Sequence, residues 1–269
     1  MSEEPQRSDL LDRIIIGVPA ATLAVVMIVL GHEWFALTAL FLGGAAIGEL
    51  WQMYERVGPV RLAGFLAILA FVLAAYYGGE HQVLLVAVCV FPVMFALAMV
   101  TPGGPSMTAR MSLTVMGIYW IGFAVAHAVL LRQLPHGRDV IIDVLVGTFL
   151  GDTGAYLGGR AFGRTKLAPA ISPNKTVEGL VIGLVTAIVA VQLAGLYQDW
   201  MDFRQALFLG LAVAFMAPLG DLFESQVKRD AKTKDAGSLF GAHGGALDRL
   251  DAAFFALVAG YYVWGAILT

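Results

Sequence analysis

Apolar runs long enough to cross a bilayer recur through this chain and leave it few folds to choose from. A helix needs roughly 17–25 such residues to span the hydrocarbon, and it is the only open-chain structure that satisfies its own backbone there. Nine stretches meet that condition, at about 14–31, 34–55, 62–79, 83–100, 111–131, 139–161, 176–197, 204–224 and 250–268. Only 14% of the residues are charged and 59% are hydrophobic, against about 25% charged in soluble domains. The expected fold class is therefore all-α, a polytopic integral membrane protein with about nine transmembrane helices. The first run, Ile14 to Leu30, follows a polar head with Arg7 and Arg13. It is long for a signal peptide and is read as a retained first helix. The single cysteine, Cys89, lies inside an apolar run, so no disulfide framework and no cysteine metal site can be built.

An odd number of spans puts the termini on opposite faces. With the N-terminus in the cytoplasm, fourteen of the 17 Lys and Arg residues fall in cytoplasmic segments, and only Arg132, Arg138 and Arg204 fall outside. That asymmetry follows the positive-inside rule. The two most polar loops, 162–175 and 225–249, then share the cytoplasmic face. On this reading residues 1–138 supply five N-terminal helices, and 139–269 supply four helices with both loops. No nucleic-acid partner is expected.

Among the carboxylates that fall within these spans are Asp152 and Asp221. Asp152 lies in "TFLGDTGAYLGG" and Asp221 in "FMAPLGDLFES". A carboxylate at the centre of a membrane helix costs roughly 2.5–3.5 kcal/mol on insertion scales, so it tends to face a polar cavity and mark a site. Ser225 and Lys228 follow Asp221 by four and seven residues and share its helix face, while Asp248 and Asp251 share a face at the start of the last helix. The loop between returns to the same membrane surface, so Asp221 and Asp248 can meet at facing helix ends. Two carboxylates beside basic side chains suit Mg²⁺, which is held by one or two carboxylates plus substrate phosphates.

Lys228, Arg229, Lys234 and Arg249 can hold several phosphates, or such a segment can simply touch anionic headgroups. The interleaved aspartates and the His243-Gly244-Gly245 run favour the first reading. The two glycines let backbone N–H groups approach a ligand closely, and His243 can donate to a phosphate oxygen. The loop 162–175 ends in "ISPNKTVEG", where Ser172 and Pro173 are placed as N-cap and first residue of a helix whose free N–H groups face an anion near Lys175.

From Ser225 through Lys228-Arg229, Lys234-Asp235, His243-Gly244-Gly245 and Asp248-Arg249 to Asp251, the chain resembles the signature of the phosphatidate cytidylyltransferases, or CDP-diacylglycerol synthases. The segments "GDTGAYLGGRAFGR", "ISPNKTVEG" and "GDLFES" are similar to further characteristic stretches of that family, so the specific match covers roughly 151–251. Ala242 stands where a glycine is expected and Val177 where an aromatic is frequent; neither is a charged position.

The resemblance implies transfer of the cytidylyl group of CTP to phosphatidic acid, giving CDP-diacylglycerol and pyrophosphate with Mg²⁺. It implies Asp221 and Asp248 as metal ligands, with a second cation such as K⁺ beside the magnesium. It implies catalytic roles for Asp152, Lys228, Arg229, Asp235 and Asp251. Substrate-binding roles fall to Ser172, Lys175, Thr176, Glu178, Ser225, Lys234, His243, Gly244, Gly245 and Arg249. It further implies a homodimer in a bacterial inner membrane, with the active site facing the cytoplasm. A CTP-dependent transferase acting on an isoprenoid lipid phosphate would use the same chemistry. A cation-coupled transporter would share the intramembrane carboxylates but not the basic loop.

Overall fold

The computed structural model describes residues 4–237, 239 and 244–269, with side chains described from Gly17 onward. His243 and Ala242 lie outside the described residues. Each of the nine expected spans coincides with a helix among those residues. These are α1 (Glu4–Leu30), α2 (His32–Met53), α3 (Arg61–Tyr77), α4 (Glu80–Val100), α5 and α6 (Met107–Gly117 and Phe123–Gln133), α7 (Gly137–Phe162), α8 (Val177–Gly195), α9 (Phe203–Asp230) and α10 (Leu247–Leu268). Helices α5 and α6 run on through a π-helical segment, Ile118–Gly122, and together form one span. Seven of the nine are long and apolar enough to cross a membrane, while Gly17–Leu30 and Arg61–Tyr77 are apolar but shorter. The chain is an all-α polytopic membrane protein, with one small hairpin of β1 (Lys166–Ala168) and β2 (Ser172–Thr176).

Two departures from the sequence reading bear on the site. Ser172 does not cap a helix: it opens strand β2, and α8 begins five residues later with Thr176 as N-cap, its hydroxyl accepting from the Gly179 N–H at 3.1 Å. Pairing of Lys166 with Thr176 and Ala168 with Ser172 captures the segment as a strand, and proline is tolerated there because a two-stranded ribbon leaves edges without donors to satisfy. The last polar loop also starts later than expected. Helix α9 continues to Asp230, with Lys228 and Arg229 in its last turn, where cations complement the helix dipole.

Contacts gather the chain into two units, residues 1–125 with 233–249, and residues 126–232 with 250–269. The first is built on Ile47, Leu50 and Trp51 of α2, Ile68 and Phe71 of α3, Met94 of α4, and Ile118 and Ile121 of the π segment, all almost fully buried. Buried Arg110 joins two helix connections beside it, its Nε donating to Gly58 O at 2.8 Å and its guanidinium to Thr101 O at 2.9 Å.

The second unit turns on the close pairing of α7 and α8. Small residues face each other along it: a Cβ at Gly183 would lie 2.7 Å from Ala155 Cβ and 2.9 Å from Gly151 O. Such surfaces let membrane helices approach backbone to backbone, where van der Waals packing and not water exclusion holds them. At the end opposite the hairpin, His136 stacks on Trp200 at 4.1 Å, Trp200 meets Trp264 at 5.3 Å, and Trp264 Nε1 donates to Pro135 O. Aromatic rings of this kind suit the membrane–water boundary.

Candidate active site

Four elements of the second unit converge on one group of charges. Helix α7 supplies Asp152, α9 supplies Asp221, Ser225 and Lys228, α10 supplies Asp251, and strand β2 delivers Lys175. The Lys175 ammonium is bonded to the Asp221 carboxylate, and the Ser225 hydroxyl donates to Asp221 Oδ1 at 3.4 Å. Asp152 interacts electrostatically with both Asp221 and Lys175. Asp251 does so with Asp221, Asp152 and Lys228. Close approach of α9 to α10 sets this last placement, since a Cβ at Gly220 would lie 2.5 Å from the Asp251 carbonyl oxygen. Lys228 also pairs with Glu224 at 2.5 Å, a carboxylate with no solvent exposure. Arg229 Nε donates to Ile171 O at 3.1 Å and so ties the end of α9 to the hairpin turn.

Asp152, Lys175 and Asp221 line a cavity of about 400 Å³. Arg160, Asn174, Thr148, Thr176 and Tyr156 add polar groups to it, and Gly147, Gly151, Ala155, Leu180, Ala187, Ala214 and Leu222 make much of its wall small and apolar. The arrangement offers a charge-dense end, with carboxylates and cations side by side, and an apolar flank.

The hairpin is fixed by two of the residues expected to bind substrate. Glu178 accepts from the Arg164 N–H at 3.0 Å and from the Thr165 N–H at 3.1 and 3.2 Å, while Thr176 caps α8. Both direct their side-chain oxygens to the protein's own backbone, which places Lys175 between two anchored points.

The first unit carries the polar loop. Both Asp248 oxygens accept from the Ala236 N–H, at 3.1 and 3.0 Å, and Oδ2 accepts from the Gly245 N–H at 2.8 Å. Gly244 has a left-handed backbone, φ 83°, and a Cβ there would lie 2.7 Å from Asp248 Oδ2. The Gly245 N–H thus goes to a protein carboxylate, whereas the sequence suggested a ligand. Lys234 and Asp235 are exposed on this loop, and Arg249 is exposed in the first turn of α10. Three carboxylates within expected spans escaped the sequence reading: Glu49 in α2, Asp143 in α7 and Glu224 in α9, all buried. Asp143 accepts from Gln198 Nε2 at 2.9 and 3.0 Å. The cost of a carboxylate in a span, which drew attention to Asp152 and Asp221, applied equally to these.

Among the described residues, no three His, Cys, Asp or Glu side chains are arranged to ligate one metal ion. Mg²⁺ needs fewer, since it keeps waters and takes substrate phosphates as ligands. Asp221 fits such a role on the evidence of its own partner: an ammonium already sits on its carboxylate, in a cluster with two further aspartates.

Comparison with known proteins bears on this architecture. The model of the cytidylyltransferase family matches residues 11–266. A phosphatidate cytidylyltransferase of Bacillus subtilis is 29% identical over 95% of this chain and 97% of its own length. One of Pseudomonas aeruginosa is 34% identical over 87% of this chain and 88% of its own, and a chloroplastic one of Arabidopsis thaliana is 33% identical over 94% and 73%. With nearly its whole length matched, the chain belongs to the cytidylyltransferase family.

Proposed function

We infer that this protein transfers the cytidylyl group of CTP to phosphatidic acid, releasing pyrophosphate and leaving CDP-diacylglycerol in the membrane. The observation that carries the reading is the cavity of the second unit, in which Asp152, Lys175 and Asp221 stand beside an apolar wall of α7, α8 and α9. A lipid phosphate needs both surfaces at once. The names and coverage of the relatives support the same reaction.

The lipid phosphate is already an anionic nucleophile, so no strong base is required. One of its oxygens bonds to the α-phosphorus of CTP as the bond to the bridging oxygen breaks, and the electron pair leaves with pyrophosphate. What the protein must supply is in-line placement and neutralisation of charge. Asp221 and Asp248 are proposed to hold Mg²⁺, with K⁺ as a second cation. Bound there, such cations would supply neutralisation of the negative charge on the phosphates. Lys175, Lys228 and Arg229 serve the lipid phosphate and the reacting α-phosphate. Lys234 and His243 serve the outer phosphates of CTP, with Arg249 a further substrate-binding group. Asp152, Asp235 and Asp251 balance this positive charge and orient the ammonium groups. Ser172, Thr176, Glu178, Gly244 and Gly245 shape the hairpin and loop that present them, and Ser225 holds the Asp221 carboxylate.

On this proposal residues 139–269 carry the catalytic helices and 1–138 the supporting ones. The protein acts as a homodimer in a bacterial inner membrane, with its site on the cytoplasmic face. Purified protein in mixed micelles, given CTP and Mg²⁺, should release pyrophosphate only when phosphatidic acid is present. Release with an isoprenoid phosphate in its place, and none with phosphatidic acid, would overturn the lipid assignment.

A further inference from the structure

Helix α10 begins where the polar loop ends, and its first free amides are already taken. Ala246 N–H donates to Glu49 Oε1 at 3.0 Å and Leu247 N–H to Oε2 at 2.9 Å. The Leu239 amide interacts with the same carboxylate. Glu49 is only 7% exposed and lies 197 residues away in the chain, inside the second span. Two glycines make room for it: a Cβ on Gly237 or on Gly245 would overlap the Glu49 carboxylate. A helix N-terminus is a ready-made anion site, and here a protein carboxylate fills it.

We propose that Glu49 is a positioning residue for nucleotide binding: its buried carboxylate ties the Ala246 and Leu247 amides to α2 and so sets the backbone from which Asp248 and Arg249 project. The proposal rests on the cytidylyltransferase reading above. It gives the second glycine of the His-Gly-Gly run a definite task. Gly245 is needed for the approach of Glu49, and its own N–H goes to Asp248. Asp248 and Glu49 thereby hold adjacent stretches of one loop, Asp248 gripping Ala236 and Gly245, and Glu49 gripping Ala246 and Leu247. Phosphates meeting this segment encounter its side chains, since these amides are spent on carboxylates.

The test compares wild type with Glu49→Gln, Glu49→Asp and Gly245→Ala in mixed micelles, varying each substrate at saturation of the other. Glu49→Gln keeps the size but turns an amide NH₂ toward one backbone N–H. It should raise KM for CTP by about tenfold or more, the effect of losing a charge-assisted hydrogen bond. KM for phosphatidic acid should change less than about twofold on the same scale. Glu49→Asp should fall between, and Gly245→Ala should reproduce the CTP effect with Glu49 intact. If Glu49→Gln does not accumulate in membranes, the other two variants carry the comparison. Hydrogen exchange of segment 236–248 supplies a readout independent of turnover, and its amides should exchange faster in every variant. Unchanged CTP dependence, or a fall in active fraction with both KM values normal, would overturn the proposal. A wild type without cytidylyl transfer would sink the reaction but not the anchor, which the exchange data would still decide.

Discussion

Asp221 bears more of the site than any other side chain, because Lys175, Ser225, Asp152 and Asp251 all act on it. Asp221→Asn keeps the shape and removes the charge proposed to hold a cation, so turnover of CTP and phosphatidic acid should fall by about a hundredfold or more, the loss typical of removing one electrostatic stabiliser. Lys175→Ala should also be costly. Since the two are bonded, the losses should not add: Lys175→Ala in the Asp221→Asn background should cost less than about threefold, where independent sites would multiply in full. Full multiplication in initial-rate assays would show that the pair is incidental to turnover. Asp152 and Asp221 were legible in the sequence because a carboxylate in a span is expensive. Glu49 carried the same signal and was passed over. Its partners are backbone amides some two hundred residues on, and no local spacing announces a side chain that bonds main chain.

Among the elements, the sequence located helices well and their ends poorly, for one physical reason. Apolar residues mark where a helix lies in lipid, whereas hydrogen bonding and caps mark where it stops. Helix α9 runs six residues past the expected 224, where the buried Glu224–Lys228 pair bridges one turn and the basic last turn complements the helix dipole. Ser172-Pro173 has the residues of a helix start, yet pairing with Lys166–Ala168 outweighs that local preference and leaves the cap to Thr176. Helices α7 and α8 position both the hairpin and Asp152, so their contact should be sensitive to volume. Gly183→Val places new atoms against Ala155 Cβ and Gly151 O. Overpacking of this kind costs about 1–3 kcal/mol. A lowered thermal midpoint in detergent, with activity lost in parallel, is the expected result; an unchanged midpoint would mean that the two helices separate at no cost.

At the scale of the whole molecule, membrane orientation is set by charges that also have local tasks. Arg110 counts toward the cytoplasmic excess, but it is buried and bonded to Gly58 and Thr101; Arg229 counts too, and it holds the hairpin turn. The bias therefore survives although several of its members are structural, because Lys and Arg are costly to translocate whatever they later bind. On the proposed orientation the same bias puts both polar loops on the cytoplasmic side, and it leads to a labelling pattern. Residue 232 follows the end of α9 and is exposed, residue 269 follows the end of α10, and one helix separates them. Cys89 is exposed and must be removed first. On a Cys89→Ala background, a reagent unable to cross the membrane should reach Thr269→Cys from outside intact cells and should reach Lys232→Cys only after permeabilisation. Reaction of both from one side would mean that α10 does not cross, and the polar loop and the chain terminus would then share a compartment.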